Sequence, residues 1–598
     1  MHPRESSVTN NARDGRIFPA PPVQPDDQLV SSDVWGFRDT AFTILPNGNV
    51  TLTGSRYALS GSELPDLLPW MKTAIGVEIP ITDTHDSKFP PDVPAAVENF
   101  AFLCAAKKIL SPNGITADPL ARLRHGHGHT LEAMYAIKYD RVERVPDLVV
   151  FPDSVEQVTA LVAAAVQHDV CLVPYGGGTN VTDALRCPAH EQRMIVSLDL
   201  SRLNRILWID PVNQMACIQA GAVGRHIQAQ LAEHGFTLGH EPDSVEFSTL
   251  GGWIATHASG MKKNRYGNIE DLVLDVHVVT ARGALSRTGD SPAPRESVGV
   301  DARRWMFGSE GTLGVITHAV VKVFPLPEVE KYDAILFPNF ERGVAFLRDL
   351  TREGMPPASV RLVDNLQFQL SQMLKPKATG FKATVRRAEK LFVTKLKGFD
   401  VHEMVACTLV FEGSRDQVAR EDAVVRRLAK RHGGMRAGAE NGKKGYQLTF
   451  GIAYFRDFIM KHYILGESFE TSVPWSEVLP LCANVKRRLT EEYVARKLPG
   501  IPFITARVTQ LYQTGVAVYF YFGFYHKGVE RPAEVYAELE HAARDEILRS
   551  GGSLSHHHGV GKIRRDFLPR VMSSTSMAWA ADVKRAVDPA NTFGIANQ

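Results

Sequence analysis

The sequence predicts a two-lobed α+β fold with a helical segment ahead of the first lobe and another after the second. Three observations carry that prediction. The run Pro174-Tyr175-Gly176-Gly177-Gly178-Thr179-Asn180 directly follows a short apolar strand, Cys171-Leu172-Val173, which itself follows a helical pattern. Three more loops of small hydrogen-bonding residues lie beside strand or helix ends before residue 317. After Pro325 this glycine-loop text stops, and apolar strands alternate with charged helices such as 415–431.

A chain of 598 residues exceeds what one hydrophobic core supports. We expect five segments: a flexible, proline-containing N-terminus at 1–30, a helical region at 31–144, a ligand-binding lobe at 145–325, a second lobe at 326–545, and a C-terminal segment at 546–598. Hydrophobic residues at 44% and charged residues at 22% describe an ordinary globular protein. Lys+Arg at 68 against Asp+Glu at 66 leaves +2, so bulk charge implies no nucleic-acid partner. The six cysteines (104, 171, 187, 217, 407, 482) are scattered singly, as expected of reduced thiols. No stretch approaches the roughly 18 consecutive apolar residues of a membrane span. The N-terminus lacks a secretory apolar core, and Ala596-Asn597-Gln598 is not a Ser-Lys-Leu address. These features predict a soluble, intracellular protein.

In chain order, 64–68 and the stretch from Ala95 through Phe100 read as helices. The run Arg124-His125-Gly126-His127-Gly128-His129 has no acidic or cysteine partner at ligand spacing, which disfavours a metal site. Residues 148–151 form a short apolar strand, and 155–169 carry helical spacing at Val155, Val158, Leu161, Val162 and Val166. Further strands are expected at 194–198 and at 205–209 paired with 215–219 as a hairpin, then a helix at 224–235.

Three successive glycines remove every Cβ, so the backbone can take φ > 0 and approach a ligand closely. Their N–H groups, with the Thr179 and Thr182 hydroxyls, would form an anion nest suited to a pyrophosphate. The other loops are Asp243-Ser244-Val245-Glu246-Phe247-Ser248-Thr249, Thr256-His257-Ala258-Ser259, and Glu310-Gly311-Thr312-Leu313-Gly314-Val315-Ile316. Four such loops suggest one elongated, phosphate-bearing cofactor touched repeatedly. Their spacing is not G-x-G-x-x-G, which disfavours a nicotinamide Rossmann domain.

In the second lobe, strands are expected at 334–337, 407–411 and 446–450. A helical reading surrounds Arg456 with Ile452, Ala453, Ile459 and Met460, placing a guanidinium on an apolar face. Such a group needs an anion, either a structural carboxylate such as Glu467 or Glu470, or a substrate carboxylate or phosphate. Residues 518–524 alternate in period two, with Phe520, Phe522 and Phe524 on one face and Tyr519 and Tyr521 on the other; by itself this reads as a core strand. In Ser555-His556-His557-His558-Gly559, consecutive residues cannot all point at one ion, so no metal is expected. Imidazoles there suit proton transfer or anion contact.

The order Gly176-Gly177-Gly178-Thr179, Gly267-Asn268…Asp271 and Glu310-Gly311-Thr312-Leu313-Gly314 resembles the vanillyl-alcohol-oxidase superfamily, which binds FAD between two small α+β subdomains (a PCMH-type domain) beneath an α/β cap. More narrowly, the text at 239–273, Gly466-Glu467-Ser468-Phe469-Glu470-Thr471-Ser472 and Ser553–Lys562 is similar to the alkyldihydroxyacetonephosphate synthase family, from about residue 35 to the C-terminus. The resemblance implies non-covalent FAD across the four loops, since Thr179 stands where some relatives attach flavin through histidine. It implies exchange of the acyl group of acyl-dihydroxyacetone phosphate for a fatty alcohol through an adduct at flavin N5, net non-redox, in ether lipid synthesis. It assigns Tyr519 as the acid/base, His557 and His558 to the chemistry with His556 in the same cluster, Arg456 to substrate, and the C-terminal chain, including Asn597, to the flavin. It further implies a peroxisomal location, peripheral membrane contact, a homodimer, and dihydroxyacetone-phosphate acyltransferase as a partner. The rival reading on the same fold is an FAD-dependent 2-hydroxy-acid dehydrogenase or oxidase, with Arg456 gripping the hydroxy acid; a non-catalytic flavin scaffold fits Arg456 and the histidines poorly.

Overall fold

The computed structural model describes residues 15–22, 29–79, 81–287, 292–299, 301, 303–376, 398–594 and 597. Most of the expected flexible N-terminus, and Ala596 and Gln598, lie outside the described residues.

The first lobe holds two sheets. One orders Ile115–Thr116, Leu148–Val150, Ile195–Asp199 and Cys171–Tyr175; its first pair is antiparallel and the other two are parallel. The helix Val155–Gln167, capped by the Ser154 side chain on the Gln157 N–H, crosses over between parallel strands. The other sheet is a five-stranded antiparallel set in the order Gly283–Leu285, Val273–Thr280, Val315–Lys322, Met215–Gln219, Ile206–Asp210. The predicted hairpin is its last pair, displaced by one residue. Both sheets and the helices Gly224–Glu233 and Leu250–Thr256 share one hydrophobic core.

The second lobe is built on a seven-stranded antiparallel sheet in the order Met435–Arg436, Val329–Phe337, Val405–Gly413, Ser359–Val363, Phe503–Leu511, Gly515–Tyr525, Ile464–Pro474. One face carries Phe520, Phe522 and Phe524 into a core shared with the helices Phe340–Arg352, Arg415–Arg431, Val478–Ala495 and Pro532–Arg549. The period-two alternation therefore turns Tyr519 and Tyr521 toward the opposite face, over the first lobe.

Three expectations are corrected. The region 31–144 is not purely helical: Phe42–Ile44, Val50–Leu52 and Glu63–Leu64 form an antiparallel sheet. The helix expected from Ala95 starts at Phe100, because Asn99 caps it by accepting from the Phe102 N–H while the Val97 N–H is drawn to the Asp147 carboxylate, 2.8 Å away. Tyr446-Gln447-Leu448-Thr449-Phe450 is not a strand but the end of the helix Ala439–Ile452, where Tyr446 and Thr449, three apart, share the buried face. Tyr446, Leu448 and Phe450 alternate in period two while Tyr446 and Phe450 also share a helical face, and tertiary packing decided between them.

Candidate active site

Between the lobes lies a cavity of about 430 Å³. Its first-lobe wall is the glycine turn. A Cβ on Gly177 would stand 2.1 Å from the Phe247 carbonyl oxygen, and one on Gly176 would stand 2.4 Å from Thr249 Oγ1. Gly178 has φ +70°, with the Tyr175 hydroxyl 2.4 Å from where its Cβ would be. No side chain fits at these positions, so the bare backbone itself faces the cavity.

Sheet register builds the opposite wall. Tyr519 pairs with Glu470 on one neighbouring strand and with Arg507 on the other, so all three side chains leave the sheet on one face. The Arg507 guanidinium lies 4.6 Å from the Tyr519 ring centroid and 5.1 Å from that of Tyr521. It also reaches Asp243 Oδ2 at 3.3 Å, while Arg361 donates to Asp243 Oδ1 at 2.8 Å. Two buried guanidiniums thus share one carboxylate, leaving this wall net positive.

Glu470, fully buried, organises the histidine run. It accepts from Ser555 Oγ (2.7 Å) and from the backbone N–H groups of His556 (2.6 Å), His557 (3.4 Å) and His558 (3.0 Å). Burial opposes its ionisation, but its surroundings, the Arg544 guanidinium among them, hold its carboxyl well below the usual range. The loop wrapped on this anion points His557 Nε2 at the Tyr519 hydroxyl, 2.5 Å away, with His558 Nε2 at 3.3 Å. Burial raises the Tyr519 phenol well above its ordinary value, with the Asp243 charge adding to the effect. Burial likewise lowers both His557 and His558, so both rings are neutral near pH 7. Glu470, His556 and His557 bring ligand-type atoms within 4.8 Å of one another. The carboxylate already serves four donors, and His557 faces Tyr519, so the geometry favours proton transfer over ion binding.

Arg456 sits at the start of the helix Phe455–Lys461, donating to Glu467 Oε2 at 2.9 Å and to the His129 carbonyl at 2.6 Å. Of the two anions expected for it, the structure supplies the carboxylate of Glu467, while Arg456 still lines the cavity. Glu467 outweighs the burial penalty and raises the guanidinium further.

Residues 146–289 match the family model described as FAD binding domain, and residues 326–594 match that of FAD linked oxidases, C-terminal domain. A protein of Caenorhabditis elegans named alkyldihydroxyacetonephosphate synthase is 43% identical over 96% of this chain and 95% of its own length. The chain belongs to the alkyldihydroxyacetonephosphate synthase family. A relative of the same name from Dictyostelium discoideum is 30% identical over 94% of this chain and 92% of its own. A solved alkyldihydroxyacetonephosphate synthase structure superposes with TM-score 0.81 at 29% identity, covering 94% of this chain and 98% of the other. The fold alone extends to p-cresol methylhydroxylase, at TM-score 0.63 and 18% identity.

The chain is thus an FAD-dependent enzyme of this family, and its residues fit the cofactor. Among the described residues, none accepts a hydrogen bond from the backbone N–H groups of Gly177, Gly178 or Thr179, which leaves them as donors for an anion. Of the residues expected at the flavin, Pro174 through Asn180, Asp243, Ser244, Ser248, Thr249, Thr256, Ala258, Ser259, Glu310, Gly311, Gly314, Ile316 and Asn597 line the cavity.

Others stand behind the wall. Val245 packs over Gly224 in the core, Glu246 accepts from the Tyr57 hydroxyl, and Phe247 rests on Trp35. His257 turns outward onto Glu270, the Thr312 hydroxyl donates to the Ser309 carbonyl, and Leu313 and Val315 are core. Asp243, expected at the flavin, commits its carboxylate to Arg361 and Arg507. Tyr519, His557, His558 and Arg456 line the cavity, whereas His556 stands behind His557.

The sequence reading missed Arg361, Arg507 and His129 as cavity residues. Arg361 and Arg507 lie in strands where an inward-facing arginine is itself the signal, but their shared anion is 118 and 264 residues away. The histidine run 125–129 props the glycine turn from below: His125 Nε2 meets Asp199 at 2.8 Å and the His129 N–H donates to the Asn180 carbonyl at 2.7 Å.

Proposed function

We propose that the chain replaces the acyl group of 1-acyl-dihydroxyacetone phosphate by a long-chain fatty alcohol, forming an ether bond with no net redox change. One observation carries this reading. A single cavity is lined at once by the flavin loops, by the Tyr519–His557–His558 cluster, and by an apolar set (Trp70, Met71, Ile75, Leu370, Phe503) that suits an alkyl chain. The names of the curated relatives supply the reaction class.

FAD, held without a covalent link by the loops at 174–180, 243–249, 256–259 and 310–316, would supply a nucleophilic nitrogen at the reacting centre. Tyr519 and His557 move the proton of substrate C1, and His558, near the same phenol oxygen, takes the proton of the alcohol. Arg361 and Arg507, sharing one Asp243, hold the phosphate dianion. Arg456, preorganised by Glu467, faces the carboxylate charge that grows as the acid leaves. Both lipid chains exchange with a bilayer, which supports peripheral membrane contact; among the described residues no helix is long and apolar enough to cross a membrane. The reading extends to a peroxisomal homodimer working beside the acyltransferase that makes its substrate.

The test is product analysis of the purified flavoprotein given palmitoyl-dihydroxyacetone phosphate and hexadecanol. Palmitate released with matching ether product, and no net flavin reduction, is the expected result. Flavin bleaching by a 2-hydroxy acid without acyl exchange would overturn it in favour of a dehydrogenase.

A further inference from the structure

Behind His557 the hydrogen bonding does not stop. His557 Nδ1 lies 2.6 Å from His556 Nδ1, and His556 Nε2 lies 2.5 Å from the Tyr512 hydroxyl. Tyr512 is itself half-buried and opens the turn whose next residues, Gln513 and Thr514, are exposed. Four groups therefore stand in series, from the Tyr519 oxygen in the cavity to the edge of a surface turn.

We propose that Tyr512 is the outer terminus of a proton relay, Tyr519–His557–His556–Tyr512, that connects the cavity to a surface turn; this rests on the reading of Tyr519 as the group that exchanges the C1 proton.

The transfers balance. A proton taken from C1 by the Tyr519 oxygen displaces the phenol's own proton onto His557 Nε2. His557 releases its Nδ1 proton to His556 Nδ1, His556 releases its Nε2 proton to the Tyr512 oxygen, and the Tyr512 hydroxyl proton passes to solvent. Each group begins and ends neutral, and returning a proton to C1 runs the same steps backward. The mechanism needs both rings uncharged, each with one free lone pair. Burial secures this, holding His557 below its ordinary value and pushing His556 down to about 3.

The outer end is held by fixed dipoles. The Glu270 carboxylate can only accept, so it takes one Asn268 Nδ2 hydrogen at 3.2 Å, while Ser259 Oγ donates to Asn268 Oδ1 at 2.7 Å. The second Nδ2 hydrogen must then face Tyr512, whose oxygen lies 3.2 Å away. That contact uses one lone pair, and the hydroxyl hydrogen can turn between His556 and the outer side of this half-buried residue, where Ser259 is a second hydrogen-bonding neighbour, as both directions of transfer require. Lys263 Nζ, 3.5 Å from the Tyr512 ring centroid, offsets negative charge on the phenol during transfer. Tyr512 touches no substrate in this scheme. It is a positioning residue, acting through His556 and His557.

The experiment is turnover of palmitoyl-dihydroxyacetone phosphate and hexadecanol in D₂O, with deuterium at C1 of the ether product read by mass spectrometry. Wild-type product is expected to carry solvent deuterium. Tyr512→Phe, folded and yellow, is expected to return the original hydrogen to C1 and to turn over about tenfold more slowly, with KM for both substrates within about twofold. In a His556→Gln background the same substitution should cost nothing further, because one relay is broken once. Full deuterium incorporation by Tyr512→Phe, at any rate, overturns the relay, as does an additive loss in the double variant. Should the wild type make no ether product, the reaction assignment fails by itself. Low-field imidazole N–H proton signals then decide the relay: kept by wild type and lost in Tyr512→Phe they support it, and unchanged they overturn it.

Discussion

Arg456 and Glu467 face each other at 2.9 Å on the cavity wall, with 12% and 17% of their side chains exposed. A pair so nearly buried is costly to break from one side, because the survivor is left an uncompensated charge. Arg456→Ala and Glu467→Ala should each destabilise by about 3 kcal/mol, whereas the double alanine variant recovers most of that loss. The double variant should nonetheless remain inactive in ether formation. Melting curves and product analysis on all three variants check this, and activity in the double variant would remove Arg456 from substrate contact.

Tyr519→Phe keeps the ring against Arg507 and removes only the hydroxyl between His557 and His558. Ether formation is expected to fall by about 10²–10⁴ while FAD stays bound. Near-normal turnover would take Tyr519 out of the chemistry.

Gly177→Ala drives a methyl group into the Phe247 carbonyl. The turn must shift, at about 1–3 kcal/mol, and its N–H groups lose their aim. Reduced FAD content by absorbance, together with a lower Tm, is the expected result; full flavin occupancy would show that the turn tolerates a Cβ.

Glu470→Gln exchanges an anion for an amide whose NH₂ must face backbone donors of the histidine loop. Leaving those buried groups unpaired should cost about 1–3 kcal/mol per lost bond. Activity should fall with Tm, since His557 loses its aim. An unchanged melting curve would mean that the loop is held by its neighbours and not by Glu470.

Burial depresses His240 and His556 to about 3, and His318 and His526 to about 4. All four are neutral in both folded and unfolded chains above about pH 6.5. As pH falls from about 6.5 toward 4, the unfolded chain binds protons that the folded chain refuses, so stability falls, by about 1.4 kcal/mol per pH unit for each fully titrating imidazole. Thermal melts at pH 7.5, 6 and 5 should show steadily falling Tm, and a flat profile would contradict the burial of these rings as neutral groups.

Local text was enough where neighbours in sequence do the work. The glycine triplet after a strand, the alternation of Phe520, Phe522 and Phe524 against Tyr519 and Tyr521, and the charged helix 415–431 were legible because backbone freedom, the period of two and the helical period are properties of adjacent residues. Where a short apolar run satisfied both periods, as at 446–450, the sequence could not choose.

The sequence by itself determined the two-lobed α+β class, and it placed the small-residue loops and the histidine run along the chain. Only the tertiary structure decided which partners those groups meet. Glu470 gathers three backbone N–H groups 86 to 88 residues downstream, Asp243 draws in arginines from two strands of the other lobe, and Tyr512 meets His556 across 44 residues. Charges and hydrogen bonds act over a few ångströms of space irrespective of chain separation, so their partners are fixed by sheet register and lobe packing and by nothing written at the residue itself.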